Sequence, residues 1–351
     1  MTRLLLAAVL TVSLAAAAAG CGSKRDETGT PAVAPLTVAL DFLPNADHVG
    51  LYAAIADGEF RRVGLDVRPQ TPPDPAAPLD LLAAGKVDLA ISYEPEVLLA
   101  RDRGQRLVSV GAIVQRPLTS IIALPQARIL KPADLSGTTV GTAGIPYQAG
   151  FLKAIVDAAG RDAQSVREVN VGFDLVPAML TKRVRATLGG FWNYEGVQLK
   201  LQRRRPTIIP VDRAGVPTYD ELVVVARQDD LSKGAPRVRR FLRALTRGYE
   251  AARTNPVKAT GQLVQANPTL SRRLQLASVK ATLPAFFPAS SSKPFGWQEP
   301  ALWDRFGAWM LRNRLLMTLS APAPFLVPVK ELVHHHEAAL DQRRADPSTI
   351  L

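Results

Sequence analysis

From residue 36 to residue 226 the chain alternates short apolar runs with stretches of helix length, which restricts it to folds built from βα units. Strands are expected at 36–40, 65–67, 87–92 and 107–114. Between them lie helical segments at 48–57, 79–84 and 96–103, closed by Gly58, Gly85 and Gly104, because glycine takes the left-handed conformation that ends a helix at little steric cost. A second series has strands at 139–141, 166–171, 186–189 and 207–209 and helices at 147–159, 175–181 and 195–202. After one more strand, 222–226, the sequence is helical to about residue 316, with Pro236 at a helix start and breaks at Pro256, Pro268 and Pro284. The pattern predicts an α/β fold with largely parallel sheets in two lobes, lobe 1 from 36–125 plus 219–316 and lobe 2 from 126–218. The chain is expected to cross between them twice, near 123–128 and 213–219. Open α/β sheets bind ligands beyond the carboxyl ends of their strands, so two such lobes facing each other form a cleft with a hinge at the crossings.

Ahead of this region, residues 1–20 read as a bacterial export signal. Arg3 supplies a positive start, residues 4–19 form an uncharged, mostly apolar run, and Ala18, Ala19 and Gly20 place small side chains directly before Cys21. The run is shorter than the roughly 20 residues a membrane-spanning helix needs. Cys21 is the single cysteine, which excludes an intramolecular disulfide and a four-thiolate zinc site. A cysteine right after a small-residue cleavage site resembles the bacterial lipobox, in which the thiol is diacylated, and two acyl chains anchor stably where one is marginal. Cys21 is therefore the expected lipidation site, residues 21–35 a tether, and the protein is expected outside the cytoplasmic membrane. The formal net charge of +12 suits an anionic partner. No aromatics interleave the basic runs at 203–205 and 237–240, so these read as solvated helix faces beside an anionic envelope, and no nucleic acid is expected.

Particular residues then carry a family resemblance. Asp41-Phe42-Leu43-Pro44-Asn45-Ala46-Asp47-His48-Val49-Gly50-Leu51-Tyr52 follows the first strand, and Gly85-Lys86-Val87-Asp88-Leu89-Ala90-Ile91-Ser92-Tyr93-Glu94-Pro95 contains the third. Gly141-Thr142-Ala143-Gly144-Ile145-Pro146 precedes a helix, Gly189-Gly190-Phe191-Trp192-Asn193-Tyr194-Glu195 follows a strand, and Gly215-Val216-Pro217-Thr218-Tyr219-Asp220-Glu221-Leu222 sits at the second crossing. In this order, over about residues 36–316, these segments resemble the substrate-binding lipoproteins of bacterial ABC importers for thiamine pyrimidine precursors, a family that also contains the eukaryotic thiamine pyrimidine synthase. The resemblance implies a type II periplasmic-binding-protein fold, a monomer without a cofactor, a permease and its ATPase as partners, and formylaminopyrimidine or hydroxymethylpyrimidine as ligand.

It also implies a site. Asp41, Phe42 and Asn45 fall where the family lines its cleft, and an Asn45 amide can both donate to and accept from a ring edge. Many relatives carry tryptophan at the Phe42 position; phenylalanine still stacks but lacks the indole donor. Tyr93 offers a ring and a hydroxyl, with Glu94 beside it facing either cleft or solvent. Gly144 and Pro146 open a helix whose free amides could hold an acidic or carbonyl oxygen. Across the cleft Trp192 and Tyr194 offer aromatic faces, and Glu195 resembles the carboxylate that accepts from the pyrimidine amino group. His48 reads equally as a pocket group or as a helix-start residue capped by Asp47, and Tyr52 either points to the cleft or packs in its lobe. Without the resemblance, Trp192 and Tyr194 would simply cover a core and Glu195 would complement a helix dipole.

Catalysis is the rival class. The synthase carries a cysteine-rich metal motif and sacrifices its own histidine, whereas here the one cysteine belongs to the export signal and no histidine lies between His48 and His334. The triplet His334-His335-His336 reads as a surface run, because consecutive helical residues point about 100° apart and cannot converge on one ion. No phosphate-binding loop of the G-x-x-x-x-G-K-[ST] type occurs, so energy for import is expected from a separate ATPase. Within binding proteins, riboflavin and sulfonate ligands remain as alternatives. From residue 317 to 351 the chain departs from the family's usual short ending.

Overall fold

The computed structural model describes residues 33–318. The export signal, Cys21, the tether up to residue 32, the histidine triplet and the tail from residue 319 lie outside the described residues. The first lobe begins with β1 (Ala34–Ala39), β2 (Leu65–Gln70), β3 (Leu89–Ser92) and β4 (Leu107–Val114), joined by α1 (Val49–Ala56), α2 (Glu59–Arg62), α3 (Pro78–Ala83) and α4 (Glu94–Asp102). A second lobe follows with β5 (Thr119–Ala123), β6 (Thr139–Thr142), α5 (Pro146–Ala158), β7 (Arg167–Asn170), α6 (Leu175–Leu180), β8 (Ala186–Phe191), α7 (Glu195–Leu201) and β9 (Thr207–Pro210). The chain returns through β10 (Leu222–Arg227) and ends in α8 (Gln228–Thr254), α9 (Pro256–Ala266), α10 (Arg272–Phe286) and α11 (Pro300–Arg312). The two sheets have the orders β2-β1-β3-β10-β4 and β7-β6-β8-β5-β9.

Both sheets are mixed, with four strands in each sharing one direction and one strand opposing them. β1 is parallel to β2 and β3, and β6 to β7 and β8, but β10 runs antiparallel to β3 and β4, and β5 antiparallel to β8 and β9. The reason lies in the crossings. A strand that enters a lobe from the other one starts at the end facing the cleft and runs away from it, opposite to neighbours whose carboxyl ends point into the cleft. The first crossing falls at 115–118, ahead of the expected 123–128, because the short run Thr-Ser-Ile-Ile-Ala is itself β5 of the second sheet. The second occupies the stretch between Pro210 and Leu222.

Glu221 ties the crossings side by side. Its carboxylate accepts from the Leu118 N–H at 2.6 Å, the Thr119 N–H and hydroxyl at 2.8 Å each, and the Tyr219 hydroxyl at 3.1 Å. Helix α11 braces the same region: Phe306 lies 4.8 Å from the Tyr219 ring, and the Trp303 indole donates to Asp220 at 2.8 Å.

Other boundaries shift for physical reasons. β1 begins at Ala34, inside the stretch expected to be tether, because Ala34 already pairs with β2; Pro35 is tolerated since β3 pairs with β1 only at Val38 and Ala39. Pro236 sits inside α8 and Pro284 inside α10, neither starting nor breaking a helix. A proline inside a helix costs about 3 kcal/mol, and α8 offsets it by burying Phe241, Leu245 and Tyr249. Arg237 is not a purely solvated cation, since it bonds Asp88 at 3.0 Å and the Pro35 carbonyl at the base of the first sheet.

Candidate functional site

A cavity enclosing about 350 Å³ of empty space, open solvent included, lies where the loops after β1, β3, β6 and β8 converge. Its walls include Asp41, Phe42, Asn45 and Tyr93 from the first lobe and Ile145, Tyr147, Gln148, Leu175, Phe191, Tyr194 and Glu195 from the second. Among these residues there is no lysine, arginine or histidine, while two are acids. A cavity of similar size under α8, lined by Val110, Val224, Leu242 and Phe295 with Arg243 and Thr246, lies wholly in the first lobe and has no acid to read a ligand's donors.

The first-lobe wall is a closed polar network. The Asn45 N–H donates to His48 Nδ1 at 3.2 Å, which leaves the ring proton on Nε2, and Nε2 donates to Asp41 Oδ1 at 2.8 Å. The Tyr93 hydroxyl donates to Asp41 Oδ2 at 2.8 Å. Both Asp41 oxygens are thus engaged, and all three side chains are buried. His48 is fully buried behind Asp41 and does not line the cavity, so it orients the carboxylate and is not a pocket group. The cap of its turn is Asn45, whose Oδ1 accepts the Asp47 N–H at 2.7 Å, not Asp47 as the alternative reading had it. Asn45 also donates to the Leu43 carbonyl, so its amide is spent largely on shaping the loop.

The second-lobe wall is less satisfied. Glu195 starts α7 and accepts the Phe191 N–H at 2.7 Å through Oε2, with its own backbone N–H as a further donor. Burial pushes it up to about 7, with Asp41 adding to the effect. The Tyr194 hydroxyl accepts from Gln275 of α10 at 3.0 Å, and burial raises it to about 12. Gln148 is locked by the Ala143 N–H on its Oε1 at 2.8 Å, and its amide lies against Gly189, where an added Cβ would come within 2.2 Å of Nε2. That glycine, at φ +110°, is therefore required by the close approach.

Several expected residues fall elsewhere. Trp192 packs on the first crossing, donating to the Pro117 carbonyl at 3.0 Å with Arg116 over its ring, and does not line the cavity. Pro146 is exposed at the start of α5, and Gly144 serves chain geometry, with φ +78° and Asn170 occupying the space of a Cβ. The α5 N-terminus does hold an acid, but it is the protein's own: Glu96 of α4 accepts the Tyr147 N–H at 3.1 Å. Glu94 faces neither cleft nor solvent; it is buried and accepts the Asp220 N–H at 2.7 Å. Tyr52 is buried in the first lobe. The sequence reading missed Tyr147, Gln148, Leu175 and Phe191. Tyr147 and Gln148 directly follow the Gly144 motif, and the apolar face of α5 was the available signal.

Residues 45–259 match the profile of the family described as NMT1/THI5 like. Over 284 residues, the chain is 36% identical to the formylaminopyrimidine-binding protein of Halalkalibacterium halodurans, covering 80% of this chain and 85% of that one. It is 26% identical to the 4-amino-5-hydroxymethyl-2-methylpyrimidine phosphate synthase of Legionella pneumophila, covering 72% and 79%. Among solved structures, the alkanesulfonate-binding protein of Xanthomonas axonopodis pv. citri bound to MOPS superposes with a TM-score of 0.66 at 17% identity, covering 84% of this chain and 99% of that one. That likeness establishes the two-lobed α/β binding-protein fold.

Proposed function

The chain belongs to the NMT1/THI5-like family, and on that premise we propose that it is the extracytoplasmic solute-binding component of an ABC importer, capturing a thiamine pyrimidine precursor such as formylaminopyrimidine or hydroxymethylpyrimidine. The observation that carries this reading is the charge pattern of the cavity, where two acids, Asp41 and Glu195, stand among aromatic rings with no basic side chain. Such a wall takes a flat heterocycle that donates hydrogen bonds. Glu195 accepts from the exocyclic amino group, Gln148 Nε2 supplies the complementary donor, and Phe42, Tyr93, Phe191 and Tyr194 contact the ring faces and edges.

The same pattern disfavours an alkanesulfonate. An anion would meet Asp41 and Glu195 without a cation, and the α5 amide that favours anions is taken by Glu96. It also disfavours the synthase reaction in this chain, since among the described residues neither a lysine nor a histidine reaches the cavity wall and His48 is spent on Asp41. Hinge closure about the Glu221-bound crossings presents the loaded form to a permease. Diacylated Cys21 holds the protein to the membrane as a monomer; no described helix is long and apolar enough to cross one.

Isothermal titration of residues 22–351 with formylaminopyrimidine, hydroxymethylpyrimidine, riboflavin and methanesulfonate tests the reading. Saturable binding of a pyrimidine at about micromolar or tighter, near −8 kcal/mol, is expected. Binding of methanesulfonate or riboflavin alone would overturn it.

A further inference from the structure

Two segments of the family resemblance, Asp41 to Tyr52 and Gly189 to Glu195, each contribute a side chain that the ligand site leaves unused: Asp47 and Asn193. They meet across the cleft although 146 residues separate them, Asn193 Nδ2 lying 2.7 Å from Asp47 Oδ1. Both are fully buried. The proton inventory around them is short by one. The Asn193 amide spends its two hydrogens on Asp47 Oδ1 and on Thr282 Oγ1, also at 2.7 Å. The Thr282 hydroxyl lies 2.8 Å from the Ser278 carbonyl and 3.3 Å from Asp47 Oδ1. That leaves Asp47 Oδ2 and Asn193 Oδ1 as buried acceptors with no donor. Leaving two such atoms unsatisfied in one contact is costly. A single proton on the Asp47 carboxyl turns one of these orphan acceptors, Asp47 Oδ2, into a donor.

We propose that Asp47 is a neutral carboxylic acid paired with the Asn193 amide, and that this pair is a clasp between the lobes that holds the cleft closed over its ligand. The surroundings agree. Burial, and after it the charges of Asp41 from the loop after β1 and Glu195 from α7, push the Asp47 carboxyl well above the usual range against the opposing hydrogen bonds from Asn193 and Thr282. From α8 the Tyr249 hydroxyl binds the Asp47 carbonyl, not the carboxyl, at 2.6 Å, and α10 presents only the neutral Thr282 and Ser278. His48, the neighbouring residue, gives its proton to Asp41. A separate link between the lobes, Glu96 to the Tyr147 N–H, adds a second tie to closure. Asp47 acts through closure and is a positioning residue.

The inference rests on the solute-binding reading for its affinity arm only. Difference infrared spectroscopy of the wild type against Asp47→Asn, at neutral pH with and without formylaminopyrimidine, is expected to show a protonated-carboxyl carbonyl band lost in the variant; absence of that band in both conditions overturns the proposal. Affinity for formylaminopyrimidine is expected to fall at least about tenfold in Asp47→Ala and in Asn193→Ala, and to return to within about threefold of wild type in Asp47→Asn, which keeps the shape and the donor. An Asp47→Asn as weak as Asp47→Ala overturns it, because an ionised carboxylate would then be the working form. Where Asp47→Ala fails to fold, the Asp47→Asn and Asn193→Ala comparison decides. If wild type binds no pyrimidine, the functional reading fails while the infrared result still decides the clasp.

Discussion

The two walls of the cavity carry one acid each and use it differently. Asp41 has both oxygens occupied by buried side chains, His48 and Tyr93, whereas Glu195 is held by backbone N–H groups, those of Phe191 and of Glu195 itself. A carboxylate whose lone pairs are taken by buried neighbours is rigid and supplies field and shape. One held by backbone amides alone keeps lone pairs for a ligand donor. On the solute-binding function proposed above, the first-lobe wall is the fixed, preorganised jaw and the second-lobe wall the discriminating one.

This contrast can be broken most strongly at Asp41. Asp41→Ala strands the buried His48 N–H and Tyr93 hydroxyl, and about 2–5 kcal/mol of stability should be lost, read as a lower urea midpoint with unchanged slope. Glu195→Gln should leave stability close to wild type and weaken pyrimidine binding by about 10- to 150-fold, the worth of a hydrogen bond to a charged partner. Equal effects of the two variants on stability would erase the distinction between the jaws.

A pH series sharpens it further. Burial lifts Glu96, Glu195 and Glu221 to about 7 from an ordinary 4.5, and it raises Glu94 and Asp220 in the same direction. The folded chain then holds more protons than the unfolded one between those values. Its stability is full below the window and is lost as pH rises through about 7, so the urea midpoint should be lower at about pH 8 than at about pH 5. Glu195→Gln should flatten part of that slope. The smallest effect is expected at Trp192→Phe, which removes one hydrogen bond to Pro117, costs about 0.5–1.5 kcal/mol of stability, and leaves affinity within about threefold because the indole is outside the cavity.

Legibility in the sequence followed the range of the physical cause. The helix ends at Gly58, Gly85 and Gly104 and the run 107–114 were readable because glycine conformation and apolar runs act over a few residues. Pro236 and Pro284 misled because burial of α8 and α10 outweighs a local penalty. In the site, Tyr194 and Glu195 were legible from their motif and line the cavity, but Trp192, two residues from Tyr194, turns to the first crossing; Phe191, its other neighbour, lines the wall in its place.

By itself the sequence determined the βα alternation, the two passages between lobes, and the loops that carry the site, since these depend on hydrophobic period and turn chemistry along the chain. Only the tertiary structure decided which side chains meet: Glu96 on the α5 amide, His48 behind Asp41, Asp47 against Asn193. Two of those contacts join different lobes, and their partners are chosen by the angle at which the Glu221-bound crossings set one lobe against the other, a quantity that no local pattern encodes.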